Sequence, residues 1–241
     1  MAKPSKDNRR EIVEQLRRDQ QRSEKRRTYA FIAACLVLAL VIIGLGAYPL
    51  IKQQLTASEP LEDLGASVEA AGCGEIETES AVGSADHRPI GEEIAYQDAP
   101  PAFGPHYPET AGFERKFYAT GDRPDIEYLV HNLEHGYTLL WYDESIADNA
   151  DDLAVVKAIT EKFEGDDLSD KFIAVPWTEE DGASFPDGAN VALTHWSVGD
   201  PEAQGKDQKG IWQYCDAPSG AVVRQFVEDY PSSDSPEPNA V

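Results

Sequence analysis

Mapped as hydrophobic and polar positions, the chain opens on charged residues, crosses one uninterrupted apolar run, and then alternates short apolar stretches with acidic segments rich in proline and glycine. The run from Tyr29 to Ile51, YAFIAACLVLALVIIGLGAYPLI, holds twenty-three residues without a charge. As a helix rising about 1.5 Å per residue it extends about 34 Å, enough to cross a hydrocarbon core of roughly 30 Å. Arg26 and Arg27 before it, with Tyr29 and Tyr48 near its ends, match the basic cytoplasmic flank and aromatic belts of a membrane span. A cleaved signal peptide is the competing reading. Its apolar part is usually about 7 to 15 residues and ends at a small-residue cleavage site, which this run does not present. An uncleaved single-pass anchor is therefore expected, with the basic side cytoplasmic and the rest of the chain extracytoplasmic.

The pattern divides the remainder. Residues 1–28 set Ile12, Val13 and Leu16 among charges, with Glu14 four residues before Arg18, and predict a basic amphipathic helix on the cytoplasmic side that lies along anionic headgroups. Residues 52–85 are rich in Glu, Ser, Ala and Gly and read as a stalk. Residues 231–241 read as a disordered tail, having too little apolar surface to offset the entropy of ordering. The folded domain is expected at 86–230.

Inside that domain a short strand is predicted around Glu93 to Tyr96. It is followed by a segment that Pro100, Pro101, Pro105 and Pro108 hold extended, because proline fixes its own φ and restricts its predecessor. The string DRPDIEYLVHNLEHG predicts a helix with Asp122 as cap, Pro124 in the first turn and Gly136 as terminator. Ile126, Leu129, Val130 and Leu133 follow the i, i+3, i+4, i+7 spacing of a core-facing stripe. YTLLWYD then reads as a strand and SIADNADDLAVVKAITEKFEG as a helix. KFIAVPW and NVALTHWSV read as strands, and APSGAVVRQFVEDY as a closing helix. Without regular βαβ alternation the expected class is α+β, a single compact domain with a small sheet, preceded by one transmembrane helix.

Charge sharpens this division. Residues 1–28 carry ten Lys and Arg against five Asp and Glu, whereas the remainder carries eleven against thirty-nine. So acidic an outer domain lacks the basic clusters that neutralise phosphates, and nucleic acid is excluded as a partner. Of the three cysteines, Cys35 lies in the apolar run. Cys73 and Cys215 remain as a candidate disulfide in an oxidising compartment. No CxxC pair is present to support thiol redox chemistry.

Four of the five histidines, His87, His106, His131 and His135, fall between positions 87 and 135. In HNLEHG, spacings of three and four residues put His131, Glu134 and His135 on one helix face, and the proline-held loop presents His106 from a separate element. Neutral imidazole is a common ligand of zinc and copper. His106, His131, His135 and His87 are therefore the candidate ligands, copper or zinc the candidate ion, and Glu134 an orienting group. The letters H-x-x-E-H also occur in zinc peptidases with the glutamate as general base, but no third acidic ligand on a downstream helix is evident.

HRPIG, then Tyr96, PPAFGPHYP, and VHNLEHG followed by an apolar strand ending in WYD together resemble the bacterial family called domain of unknown function 3105, over roughly Asp86 to Tyr142. By that resemblance His106 falls in a GPHY motif, His131, Glu134, His135 and Gly136 fall in a motif containing LEHG, and His87 takes an upstream position. The chain departs from the pattern at Phe103, where a small polar residue is often found, and it lacks a cysteine sometimes present after GPHY. His195 matches no family histidine. The resemblance implies a membrane-anchored or secreted protein and attaches no firm activity.

Three readings stay open: a membrane-tethered metal or small-ligand module, an envelope interaction or scaffold protein whose acidic surface docks a partner, and, least supported, a zinc-dependent hydrolase. Binding rather than turnover is the expectation.

Overall fold

The computed structural model describes residues 6–240; the first five residues of the basic segment and Val241 lie outside the description. The chain divides into two compact units, Met1–Leu55 and Thr56–Val241. The first is dominated by helix α1 (Lys6–Ser58). Within it Gln20–Tyr48 is long and apolar enough to cross a membrane, its most apolar 18 residues having a mean hydropathy of 2.8. Phe31, Leu36, Leu40 and Ile43 along this stretch are exposed.

The second unit is built on an open, mixed five-stranded sheet. Its strands are β1 (Glu77–Ser80), β2 (Thr138–Tyr142), β3 (Phe172–Pro176), β4 (Val191–Ser197) and β5 (Lys209–Cys215), in the order β1-β5-β4-β2-β3. Only the β2–β3 pairing is parallel. Parallel neighbours need a crossover. It is supplied by α3 (Glu144–Asp148) and α4 (Ala150–Thr160).

Side chains alternate faces along a strand, and here both faces are covered. Leu140 and Tyr142 of β2 join Val156 and Ile159 of α4, and Val222, Val223 and Phe226 of α5 (Gly220–Asp229). Leu139 and Trp141 face the other way, toward Leu129, Val130 and Leu133 of α2 (Ile126–Glu134). The α+β class and the apolar stripe of α2 are thus as the pattern predicts.

Several boundaries differ, each for a local reason. The strand expected at Glu93–Tyr96 does not form; this segment is held by side chains, Ile94 N–H donating to Glu127 Oε1 at 3.3 Å and, just before it, the Glu92 carbonyl accepting from the Tyr107 hydroxyl at 2.9 Å. β5 escapes the pattern because Lys209, Gly210 and Gln213 interrupt its apolar alternation. β1, the exposed edge strand ETES, carries no apolar signal at all. The predicted helix after β2 breaks into α3 and α4 at Asn149, whose side chain accepts from the Asp151 and Asp152 amides and so starts a new helix. Asp122 does not cap α2. It pairs with Arg115, and the helix starts after Asp125.

Of the residues expected to be a stalk, 52–58 are the end of α1, and those from Leu61 onward belong to the domain: Leu64, Ala71 and Ala81 are buried, β1 is part of the sheet, and Cys73 is joined to Cys215 by a disulfide. The end of the chain, expected to be disordered, follows a defined path across the C-terminus of α2. Polar contacts replace the missing apolar area. Asp234 Oδ2 accepts from the Ser197 hydroxyl at 2.7 Å, Glu237 N–H donates to the Glu134 carbonyl at 3.0 Å, and Lys171 Nζ donates to the carbonyls of Pro238 and Ala240.

Candidate metal centre

The site lies between the C-terminal half of α2 and the loop that precedes it. α2 ends in a Schellman arrangement. Gly136 N–H donates to the Leu133 carbonyl at 3.0 Å and Tyr137 N–H to that of Asn132 at 3.1 Å, with Gly136 at φ +90°. Sequence periodicity leaves the polar face of this helix facing nothing in particular. In the fold it is covered: Glu127, His131, Asn132, Glu134 and His135 are all buried. The cover is the proline-held loop, fastened by Asn132, whose side chain accepts from Ala111 N–H at 2.9 Å and donates to the Ala111 carbonyl at 3.0 Å.

Two short backbone segments of that loop run side by side and deliver two imidazoles together. His106 N–H donates to the Asp86 carbonyl at 3.1 Å and Arg88 N–H to the His106 carbonyl at 2.7 Å, forming a parallel bridge between His87 and His106. The Tyr96 hydroxyl fixes the Pro105 carbonyl at 2.7 Å. The His87 and His106 rings stand 4.8 Å apart, His106 and His131 4.7 Å, and His87 and His131 5.1 Å.

Glu134 sits at the meeting point. Its Oε2 is 3.0 Å from His106 Nε2, 3.9 Å from His131 Nε2 and 4.0 Å from His87 Nε2. One ligand atom from each of these four residues lies within 4.8 Å of all the others. In a tetrahedral zinc site with bonds of about 2.0–2.1 Å, ligand atoms are about 3.3–3.4 Å apart. The His106–Glu134 separation is already inside that spacing, and the two longer ones need shifts below about 1 Å. The His87 side chain, 54 % exposed, has room to make such a shift, and it leaves that side of the cluster open to solvent.

The polar atoms are otherwise unsatisfied. His106 Nε2, His131 Nδ1 and Glu134 Oε2 are buried and make no hydrogen bond of acceptable geometry. His106 Nδ1 lies 2.8 Å from the Gly104 carbonyl, which only accepts, so the proton is assigned to Nδ1. Its Nε2 then turns a lone pair toward the Glu134 carboxylate. Two acceptors at 3.0 Å repel unless a proton or a cation stands between them. Holding one ring nitrogen on a backbone carbonyl while the other faces the site is how metal-ligating histidines are oriented.

The electrostatics suit ligands. Burial, with His106 and His135 nearby, pushes His131 down to about 4, so its ring is neutral at neutral pH. Burial pushes the Glu134 carboxyl up, but the His106 contact and the neighbouring His131 and His87 outweigh it and hold the group below its ordinary value, as a carboxylate. His135 is pushed down, first by burial.

His135 itself stands aside from the four. Its ring is 4.4 Å from that of His131, and its Nε2 faces Glu237 Oε2 at 3.5 Å. Glu134, His135 and Glu237 form a second group of close ligand atoms. His195 is fully buried elsewhere, between the carbonyls of Tyr137 and Asp234. Arg115 and Arg123 pair with Asp122 and Asp181 and take no part in the cluster. No sequence signal points to Glu237, which lies in a Ser- and Pro-rich segment without periodicity, or to Asn132 as the clamp that sets loop against helix.

No curated protein and no solved structure matches this chain. Residues 87–241, which include the whole cluster, match the family described as a protein of unknown function, DUF3105, and the chain belongs to that family.

Proposed function

We propose that this protein is a single-pass, membrane-anchored envelope protein whose outer domain binds a transition-metal ion, copper(II) or zinc(II), through His87, His106, His131 and Glu134. The observation that carries this reading is the convergence of three imidazole nitrogens, two of them on buried rings, and one buried carboxylate oxygen; two of these atoms, His106 Nε2 and Glu134 Oε2, face each other at 3.0 Å without a hydrogen bond. A set of three nitrogens and one oxygen suits either ion. Glu134 is then a direct ligand rather than an orienting group. That takes it away from the general-base role the H-x-x-E-H letters suggest.

The basic residues before the apolar run and the disulfide after it support a cytoplasmic N-terminus and a domain in an oxidising extracytoplasmic space. An acidic surface facing that space is open to an envelope partner.

Full-length protein extracted in detergent, stripped with a chelator and titrated with copper(II) and zinc(II), is expected to take up at least one tightly held ion. His106→Ala is expected to weaken uptake by at least about tenfold, since even ligand-orienting groups are worth roughly 10–100-fold. Protein that binds neither ion sinks the reading.

The competing reading is a structural cluster in which a doubly protonated His106 pairs with Glu134, and it is favoured by the same 3.0 Å contact. It predicts no ion uptake and a large loss of stability in His106→Ala, through an orphaned buried carboxylate.

A further inference from the structure

Glu237 is the least expected residue near the site. It lies in a segment with the composition of a loose tail, yet its position is held from both sides. Its own N–H donates to the Glu134 carbonyl at 3.0 Å. Just beyond it, the Lys171 ammonium, itself buried, donates to three carbonyls, those of His135, Pro238 and Ala240, at 2.7, 2.8 and 2.7 Å. Just before it, the Asp234 carboxylate takes the Ser197 hydroxyl and the Val198 amide, while the Asp234 carbonyl meets His195 Nε2. A surface carboxylate with no role has no need of so many fixed points around it.

What Glu237 faces is a buried imidazole with nothing else to bind. His135 is 7 % exposed, and its Nδ1 is a buried atom without a hydrogen-bond partner. Its Nε2 is 3.5 Å from Glu237 Oε2, close to the spacing of about 3.3–3.4 Å between two ligand atoms on one tetrahedral ion. A Glu134 oxygen completes the group, with all three ligand atoms within 4.8 Å of one another.

We propose that the chain holds a second divalent cation between Glu134, His135 and Glu237, next to the first ion, with the Glu134 carboxylate bridging the two. This rests on the reading of Glu134 as a ligand of the first ion. One nitrogen and two carboxylate oxygens make a harder set than the first site offers, and they suit zinc(II) or manganese(II). The 4.4 Å between the His131 and His135 rings sets the two positions side by side, in keeping with two-metal centres whose ions are about 3.5–4 Å apart. The nearby Lys171 ammonium opposes a cation here, and Glu237 supplies the charge that offsets it. Without Glu237 the second position is left with one imidazole and a shared carboxylate.

The test counts ions. Detergent-solubilised full-length protein, stripped and then titrated with zinc(II), is desalted and its metal content measured against protein. Two equivalents are expected for the wild type, and one for Glu237→Ala, whose exposed side chain leaves the domain core untouched. His106→Ala serves as the counterpart for the first position. One equivalent in the wild type, unchanged in Glu237→Ala, overturns the second site and leaves the first standing. Two equivalents in both proteins overturn the role of Glu237. No zinc in the wild type overturns the second site, and the first falls with it when the copper(II) titration also shows no uptake.

Discussion

Gly136→Ala tests whether the end of the chain is seated on the end of α2. At φ +90° the backbone of Gly136 lies where an L side chain is strained. That alone costs about 1–2 kcal/mol. A Cβ at this position would also stand 2.2 Å from the Ser232 carbonyl oxygen and 2.7 Å from Ser235 Oγ. Ser232 must then retreat by on the order of 1 Å, because such atoms settle near normal van der Waals separation. The retreat loosens the bond from Glu237 N–H to Glu134 and those from Lys171 to Pro238 and Ala240. Losing two of these at about 1 kcal/mol each brings the total to about 3–4 kcal/mol. For a domain of this size that is a fall in Tm on the order of 10 °C. Gly83→Ala supplies the comparison, since Gly83 has φ +79° and a Cβ added there would meet nothing within 4 Å. Only the backbone cost of about 1–2 kcal/mol then applies. Trp141, Trp177, Trp196 and Trp212 are all buried in the second unit, so tryptophan fluorescence during thermal unfolding reports on the domain and not on α1. Equal losses for the two variants would refute the seating of residues 231–240 on the helix.

Three further outcomes are expected. Reducing the Cys73–Cys215 disulfide, which closes a separation of 142 residues, should cost on the order of 5 kcal/mol by the chain-entropy relation, read as a lower Tm with reductant; no shift would mean the N-terminal segment holds its place without the bond. Asn132→Ala strips both hydrogen bonds from the buried backbone of Ala111 and should destabilise the domain by about 2–4 kcal/mol in urea titration, with a loss under about 1 kcal/mol counting against the clamp. Burial pushes the phenols of Tyr96, Tyr142 and Tyr214 up, so the unfolded chain ionises first; the stability they confer is complete below about pH 10 and drains as pH rises above it. Absorbance at the tyrosinate band should therefore show these three titrating only as the domain unfolds, and a single smooth transition of all ten tyrosines near the ordinary value would contradict their burial.

The parts of the fold that can be read in advance are those with a strong one-dimensional signal. The apolar run inside α1, the stripe Leu129, Val130 and Leu133 of α2, and the apolar strands TLLWY and FIAVP each carry hydrophobic residues in the pattern of their own element. β1 and β5 escape such a reading because ETES and KGIWQYC carry no clean internal alternation and take their place by pairing with neighbouring strands. The break at Asn149 lies in the letters as a capping residue, but within a continuous helical run a cap and an interior asparagine look alike until the chain turns.

For the site, the sequence by itself determined the donors: histidines in a rigid proline-bounded loop and in a short helix, with a carboxylate between two of them, in a domain acidic enough to argue against nucleic acid. It also set the membrane-length helix and the pairing open to Cys73 and Cys215. Only the tertiary structure decided which donors converge. It brought His87 beside His106 through a backbone bridge, turned Glu134 inward onto both and onto His131, and set His135 apart with Glu237. The physical reason is that spacing along one helix limits which side chains can share a face, whereas what meets that face is set by long-range hydrogen bonds. Asn132 to Ala111 and Lys171 to the end of the chain are such bonds, and neither leaves a periodic trace in the sequence.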